Sequence, residues 1–162
     1  DTALKGTWDG RFAVKITGLT ESKNQGGSGG FTLTQDALID VLEIRNPVGG
    51  SIAKITIKPG EAILERDGQL TTAIDADTLI QNTLGLPLPA RGLSDWLRGK
   101  TRPGGNASVE RNSKGQVSKI MQDGWTLNYN WNNAQRLEKL LMTRSSNIGS
   151  IDIRLVFDNP NE

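Results

Sequence analysis

At 162 residues the chain is long enough to bury a core without covalent staples and short enough for one domain, read here as spanning 1–162. Nineteen basic residues against eighteen acidic ones leave a net charge of +1, too little to draw in nucleic acid by its field. With neither histidine nor cysteine, the chain is excluded from disulfides, thiol nucleophiles, the usual zinc sites and the histidine base of a catalytic triad, and a non-enzymatic domain is expected.

Phe12, Val14 and Ile16 alternate with Arg11, Ala13 and Lys15, the period of two that sends one face of a strand into a core and the other into water. The run Gln25-Gly26-Gly27-Ser28-Gly29-Gly30 follows; it lacks the Lys-Ser/Thr of a phosphate-binding loop and reads as a flexible hairpin loop. Strands are then predicted at Phe31–Gln35, Leu38–Ile44, Ile52–Ile57, Ala62–Glu65 and Gln69–Ile74, separated by turn signals at Asn46-Pro47, Lys58-Pro59-Gly60 and Arg66-Asp67-Gly68.

From Asp75 to Gly85 the period changes: Ala76, Leu79, Ile80 and Leu84 recur at three to four, with Asp75 or Asp77 as the cap and Gly85 as the stop. After Leu86-Pro87-Leu88-Pro89, the residues Leu93, Trp96 and Leu97 share a second helical face that Gly99 closes. Strands resume at Ala107–Arg111, Val117–Met121, Trp125–Trp131, Leu137–Met142 and Ile151–Asp158, with turns at Ser113-Lys114-Gly115 and Asp123-Gly124.

About eleven strands in an antiparallel meander are too many for a comfortable flat sheet. The expected fold is therefore mainly β (α+β), an open or half antiparallel barrel with a helical lid inserted at about residues 75–99. Periodicity leaves open whether the enclosed space is packed solid or kept as a ligand cavity.

Two motifs that resemble chemistry have simpler readings. Asp75-Ala76-Asp77 could offer a carboxylate pair to a cation, but acids in a helix's first turn are what the cap and the macrodipole favour. Ser94-Asp95 beside Trp96 has no histidine to activate the hydroxyl and no nucleophile-elbow pattern. The informative turn is Asn46-Pro47-Val48-Gly49-Gly50: Pro47 and Gly49 suit positions two and four of a type I turn and leave an apolar residue, Val48, at the tip. Val48 either folds back on the barrel end or protrudes to touch lipid or a partner.

Leu42-Glu43-Ile44-Arg45-Asn46-Pro47-Val48-Gly49-Gly50, then Pro59-Gly60-Glu61-Ala62, Leu84-Gly85-Leu86-Pro87-Leu88-Pro89 and Leu93-Ser94-Asp95-Trp96-Leu97-Arg98-Gly99 follow in that order. With them the chain resembles the LolB family, the outer-membrane lipoprotein receptors of Gram-negative bacteria, over nearly its whole length. The resemblance implies a half barrel lidded by helices, whose apolar cavity receives the acyl chains of lipoproteins handed over by the periplasmic carrier LolA, without nucleotide or metal. The family's protruding apolar turn falls on Pro47, Val48 and Gly49, with Val48 where a leucine is expected. The family is anchored to the periplasmic face of the outer membrane through a lipidated N-terminal cysteine and begins with a helix. This chain starts at Asp1 without either, so the expectation is a removed N-terminal segment or a naturally shorter, unanchored relative.

Candidate acyl-chain contacts, on either strand face, are Phe12, Val14, Phe31, Leu33, Leu79, Leu84, Trp96, Leu97, Trp125, Leu127 and Tyr129. Each buried methylene is worth about 0.8 kcal/mol, so one long chain gains on the order of 10 kcal/mol in a dry cavity. The expected partners are a LolA-type carrier, acylated lipoproteins and outer-membrane lipid, with the protein itself a monomer. The competing readings are a soluble LolA-like carrier and a structural outer-membrane lipoprotein with a packed barrel.

Overall fold

A computed structural model describes residues 5–18, 25–85, 88–147 and 149–158. Eleven strands are β1 (Lys5–Gly18), β2 (Gln25–Asp36), β3 (Ile39–Arg45), β4 (Ser51–Lys58), β5 (Glu61–Arg66), β6 (Gln69–Ala73), β7 (Ala107–Arg111), β8 (Val117–Gln122), β9 (Trp125–Trp131), β10 (Leu137–Ser146) and β11 (Gly149–Phe157). Between β6 and β7 lie helix α1 (Ala76–Leu84), a 3-10 turn (Ala90–Gly92) and the short helix α2 (Leu93–Leu97). The strands form one antiparallel sheet in the order β6-β5-β4-β3-β2-β1-β11-β10-β9-β8-β7, open because β6 and β7 end it rather than meet. Leu86 and Pro87, part of the Leu84–Pro89 motif, lie outside the described residues.

Contacts group the chain into two units, Asp1–Asp9 with Gly29–Ser94 and Gly10–Ser28 with Asp95–Glu162. In the first, register aligns one apolar residue per strand: Leu33 faces Leu42, Leu42 faces Ile55 and Ile55 faces Leu64. All four are buried, each worth roughly 1.5–3 kcal/mol relative to exposure. Helix α1 packs against β5 and β6 through its buried Ala76, Leu79 and Ile80. Asp75 is its cap, accepting from the Asp77 N–H, and Gly85 ends it in the left-handed conformation at φ 71°.

In the second unit a longer row runs Val14, Ile153, Met142, Leu127 and Ile120, one from each of five neighbouring strands. All are buried, and the row ends on β7 at the exposed Val109. A one-residue slip would turn each such row to water, so the rows hold the register.

One expectation is overturned. The glycine run Gln25–Gly30 is not a hairpin loop but the first half of β2. A Cβ on Gly26 would stand 2.6 Å from the Val14 carbonyl oxygen, so the glycine permits an approach of two backbones that a side chain would block. Glycine-rich composition mimics a loop; here it marks close pairing.

Candidate functional site

The turn between β3 and β4 is built by Asn46. Its Oδ1 accepts from the Val48 N–H at 3.0 Å and the Gly50 N–H at 3.0 Å, while its carbonyl accepts from the Gly49 N–H at 3.0 Å, closing a type I turn. Gly49 takes φ 101°, which only glycine adopts freely. Val48 stands at the tip, 94 % exposed.

The same wiring occurs twice more. Asn112 Oδ1 accepts from the Lys114 and Gln116 N–H groups, and Asn132 Oδ1 from those of Ala134 and Arg136. Gly115 and Gln135 hold the positive-φ place of Gly49, at 82° and 63°. Lysine and alanine thus occupy the position of Val48 in turns of identical hydrogen bonding. The turn does not require an apolar tip, and Val48 makes none of its bonds by side chain.

The other predicted site residues divide between the two units. In the first unit Phe31, Leu33 and Leu79 are buried and Leu84 is half-buried. In the second, Phe12, Val14, Trp96, Leu97, Trp125 and Leu127 are buried and Tyr129 half-buried. Each unit therefore turns its predicted apolar residues inward.

Trp96 is held at both ends. Its indole N–H donates to Gln122 Oε1 at 2.9 Å, and its carbonyl accepts from the Tyr129 hydroxyl and from the Gly99 N–H. Gln122 Oε1 also accepts from the Arg102 N–H at 2.8 Å, and its Nε2 donates to the Arg102 carbonyl at 2.7 Å. Arg102 continues to Asp123 through a 2.7 Å ion pair. Burial pushes the Tyr129 phenol well above its ordinary range, so it stays protonated and able to donate. Beside it, Tyr129 and Trp131 stack at 5.8 Å between ring centres, and the Trp131 indole N–H donates to the Val117 carbonyl. Trp96 is thus fixed to both β8 and β9.

Sequence reasoning missed Gln122, Arg102 and Asp123. A signal existed for the first: Gln122 sits two residues after Ile120, on the inward face of β8, and a polar residue there needs buried partners. Asp77, a possible cap by sequence, instead accepts from the Arg91 N–H at 2.8 Å. Burial raises its pKa and neighbouring Asp75 adds to the rise, against the lowering hydrogen bond from Arg91.

Among the described residues no helix is long and apolar enough to cross a membrane. Residues 7–159 match the protein family described as outer membrane lipoprotein LolB. The outer-membrane lipoprotein LolB of Bordetella pertussis is 35% identical over 153 residues, 93% of this chain and 76% of that protein. Its counterpart in Cupriavidus metallidurans is 28% identical over 172 residues, 100% of this chain and 83% of that protein. The match covers both apolar rows, the Asn46 turn and the helices between them, and the chain belongs to the LolB family of outer-membrane lipoproteins.

Proposed function

We propose that this protein is a receptor that accepts acylated lipoproteins from a LolA-type carrier and incorporates them into the outer membrane. It acts from the periplasmic face, as a lipid-anchored monomer, without nucleotide. The inward faces bearing Phe12, Val14, Phe31, Leu33, Leu79, Leu84, Trp96, Leu97, Trp125, Leu127 and Tyr129 hold acyl chains, and Val48 meets lipid. The observation that carries this reading is the near-full exposure of Val48, at a tip where the two other turns of the same wiring carry lysine and alanine. Transfer needs no fuel if affinities rise along the path, every 1.4 kcal/mol being about tenfold.

The test is transfer of an acylated lipoprotein from loaded carrier to the purified protein in the absence of nucleotide, followed by pull-down of each. Cargo on this protein supports the receptor. Cargo left on the carrier favours the second reading, a structural lipoprotein packed solid, which the burial of nine of these eleven side chains supports.

A further inference from the structure

The sheet has two ends, and they are built differently. At one, β7 carries Glu110 and Arg111, and its pairing with β8 shifts register between them. Charge and a bulge are the devices by which an edge strand avoids pairing with another chain. At the other end, β6 reads Gln69-Leu70-Thr71-Thr72-Ala73, without charge, proline or register shift against β5. Gln69 through Thr72 are exposed on both faces of the strand, with Leu70 at 67 % and the following Ile74 at 87 %. Such an edge is an open template for an added strand.

The register says which groups are available. The two-residue turn Asp67-Gly68, with φ 53° and 79°, makes Arg66 and Gln69 the closing hydrogen-bonded pair. Antiparallel pairs alternate, so Leu64 with Thr71 and Ala62 with Ala73 are bonded too. The N–H and C=O groups of Leu70 and Thr72 therefore point outward.

A second copy of this chain is a poor occupant, because pairing five residues falls well short of the roughly 1,000 Å² a stable interface needs. A bilayer is poorer still, since hydrocarbon cannot satisfy an open edge. A peptide already tethered nearby is different: its effective concentration reaches the millimolar range, where a short strand addition becomes populated. Helix α1 packs on β5 and β6, and on the receptor reading an acyl chain held by its Leu79 and Leu84 brings the attached polypeptide to this edge.

Resting on the receptor reading, we infer that the outer edge of β6 takes up, as an added strand, the extended uncharged polypeptide segment beside the acylated residue of the cargo. The segment is held only while its acyl chain is bound and is released when the chain leaves. Charged side chains in it would meet no partner on Gln69–Ala73.

The experiment follows amide exchange by NMR in the full chain with three probes: a triacylated ten-residue peptide of glycine, serine and threonine, the same peptide without acyl chains, and palmitate. The lipopeptide alone is expected to slow exchange at Leu70 and Thr72 by about 10-fold or more, through backbone pairing. Thr72→Pro, which removes an outward donor and leaves the β5 ladder intact, is expected to weaken lipopeptide binding about 10-fold and palmitate binding not at all. A lipopeptide N-methylated at alternate residues reproduces the loss without altering the protein. Lipopeptide bound with unchanged exchange at β6, or protection by palmitate equal to that by lipopeptide, overturns the inference and leaves the receptor reading standing. Neither lipopeptide nor palmitate bound overturns both.

Discussion

Gln122→Met keeps the side-chain volume of Gln122 and deletes its amide, stranding the Trp96 indole N–H and the Arg102 N–H that share Oε1, and the Arg102 carbonyl that meets Nε2. A buried donor left without a partner costs about 1–3 kcal/mol, and Gln122 is only 2 % exposed, so water cannot easily substitute. Allowing partial relaxation of the Arg102 loop, the expected loss is about 3 kcal/mol. Urea unfolding monitored by tryptophan fluorescence measures it. Trp96→Phe removes one stranded donor in advance, so in that background Gln122→Met should cost about 1 kcal/mol less. A single-variant loss below about 1 kcal/mol, or costs that simply add, would refute the role of Gln122 in holding Trp96 and Arg102 together.

Val48→Lys copies the tip of the Asn112 turn and should change stability by less than about 0.5 kcal/mol, while delivery of bound cargo into liposomes falls about tenfold, the worth of one valine buried in lipid. Unchanged delivery removes Val48 from the mechanism. Ala37, at φ 57°, stands where glycine is easier, so Ala37→Gly should raise stability by about 1 kcal/mol in the same unfolding assay; a loss would mean the strain is absent. The raised pKa of Asp77 means the folded protein holds its proton more firmly than the unfolded chain, whose ordinary value is 3.8. Stability from this group is complete below that value and declines as pH rises through the folded pKa. Asp77→Asn should remove the decline while keeping an acceptor for Arg91, so the two melting curves plotted against pH diverge above 3.8; parallel curves contradict the assignment.

Strand positions were legible where alternation records a half-buried strand directly: β9 falls at Trp125–Trp131 in both sequence and structure. Gly26–Gly30 were not, since glycine carries no side chain to alternate and its role depends on Val14 in another strand. The turns at Asn46 and Ser113–Gly115 announced themselves through glycine, whereas the third copy, at Asn132, places Gln135 at positive φ and gave no such signal. At the candidate site, the apolar side chains could be named but not assigned to a face; pairing was needed to align Leu33 with Leu42 or Val14 with Ile153. Gln122 and Arg102 meet across 20 positions, a distance that local pattern does not bridge.

A turn closed entirely by an asparagine side chain and main-chain groups separates what holds the hairpin from what the hairpin displays. Its outermost residue is therefore close to a free variable: mutation can sample any size or charge there without first crossing a stability barrier. The way this protein meets its surroundings at Val48 can drift between lineages faster than its core. For the same reason, position 48 is where a fluorophore or a tether can be installed with least disturbance to the rest of the molecule.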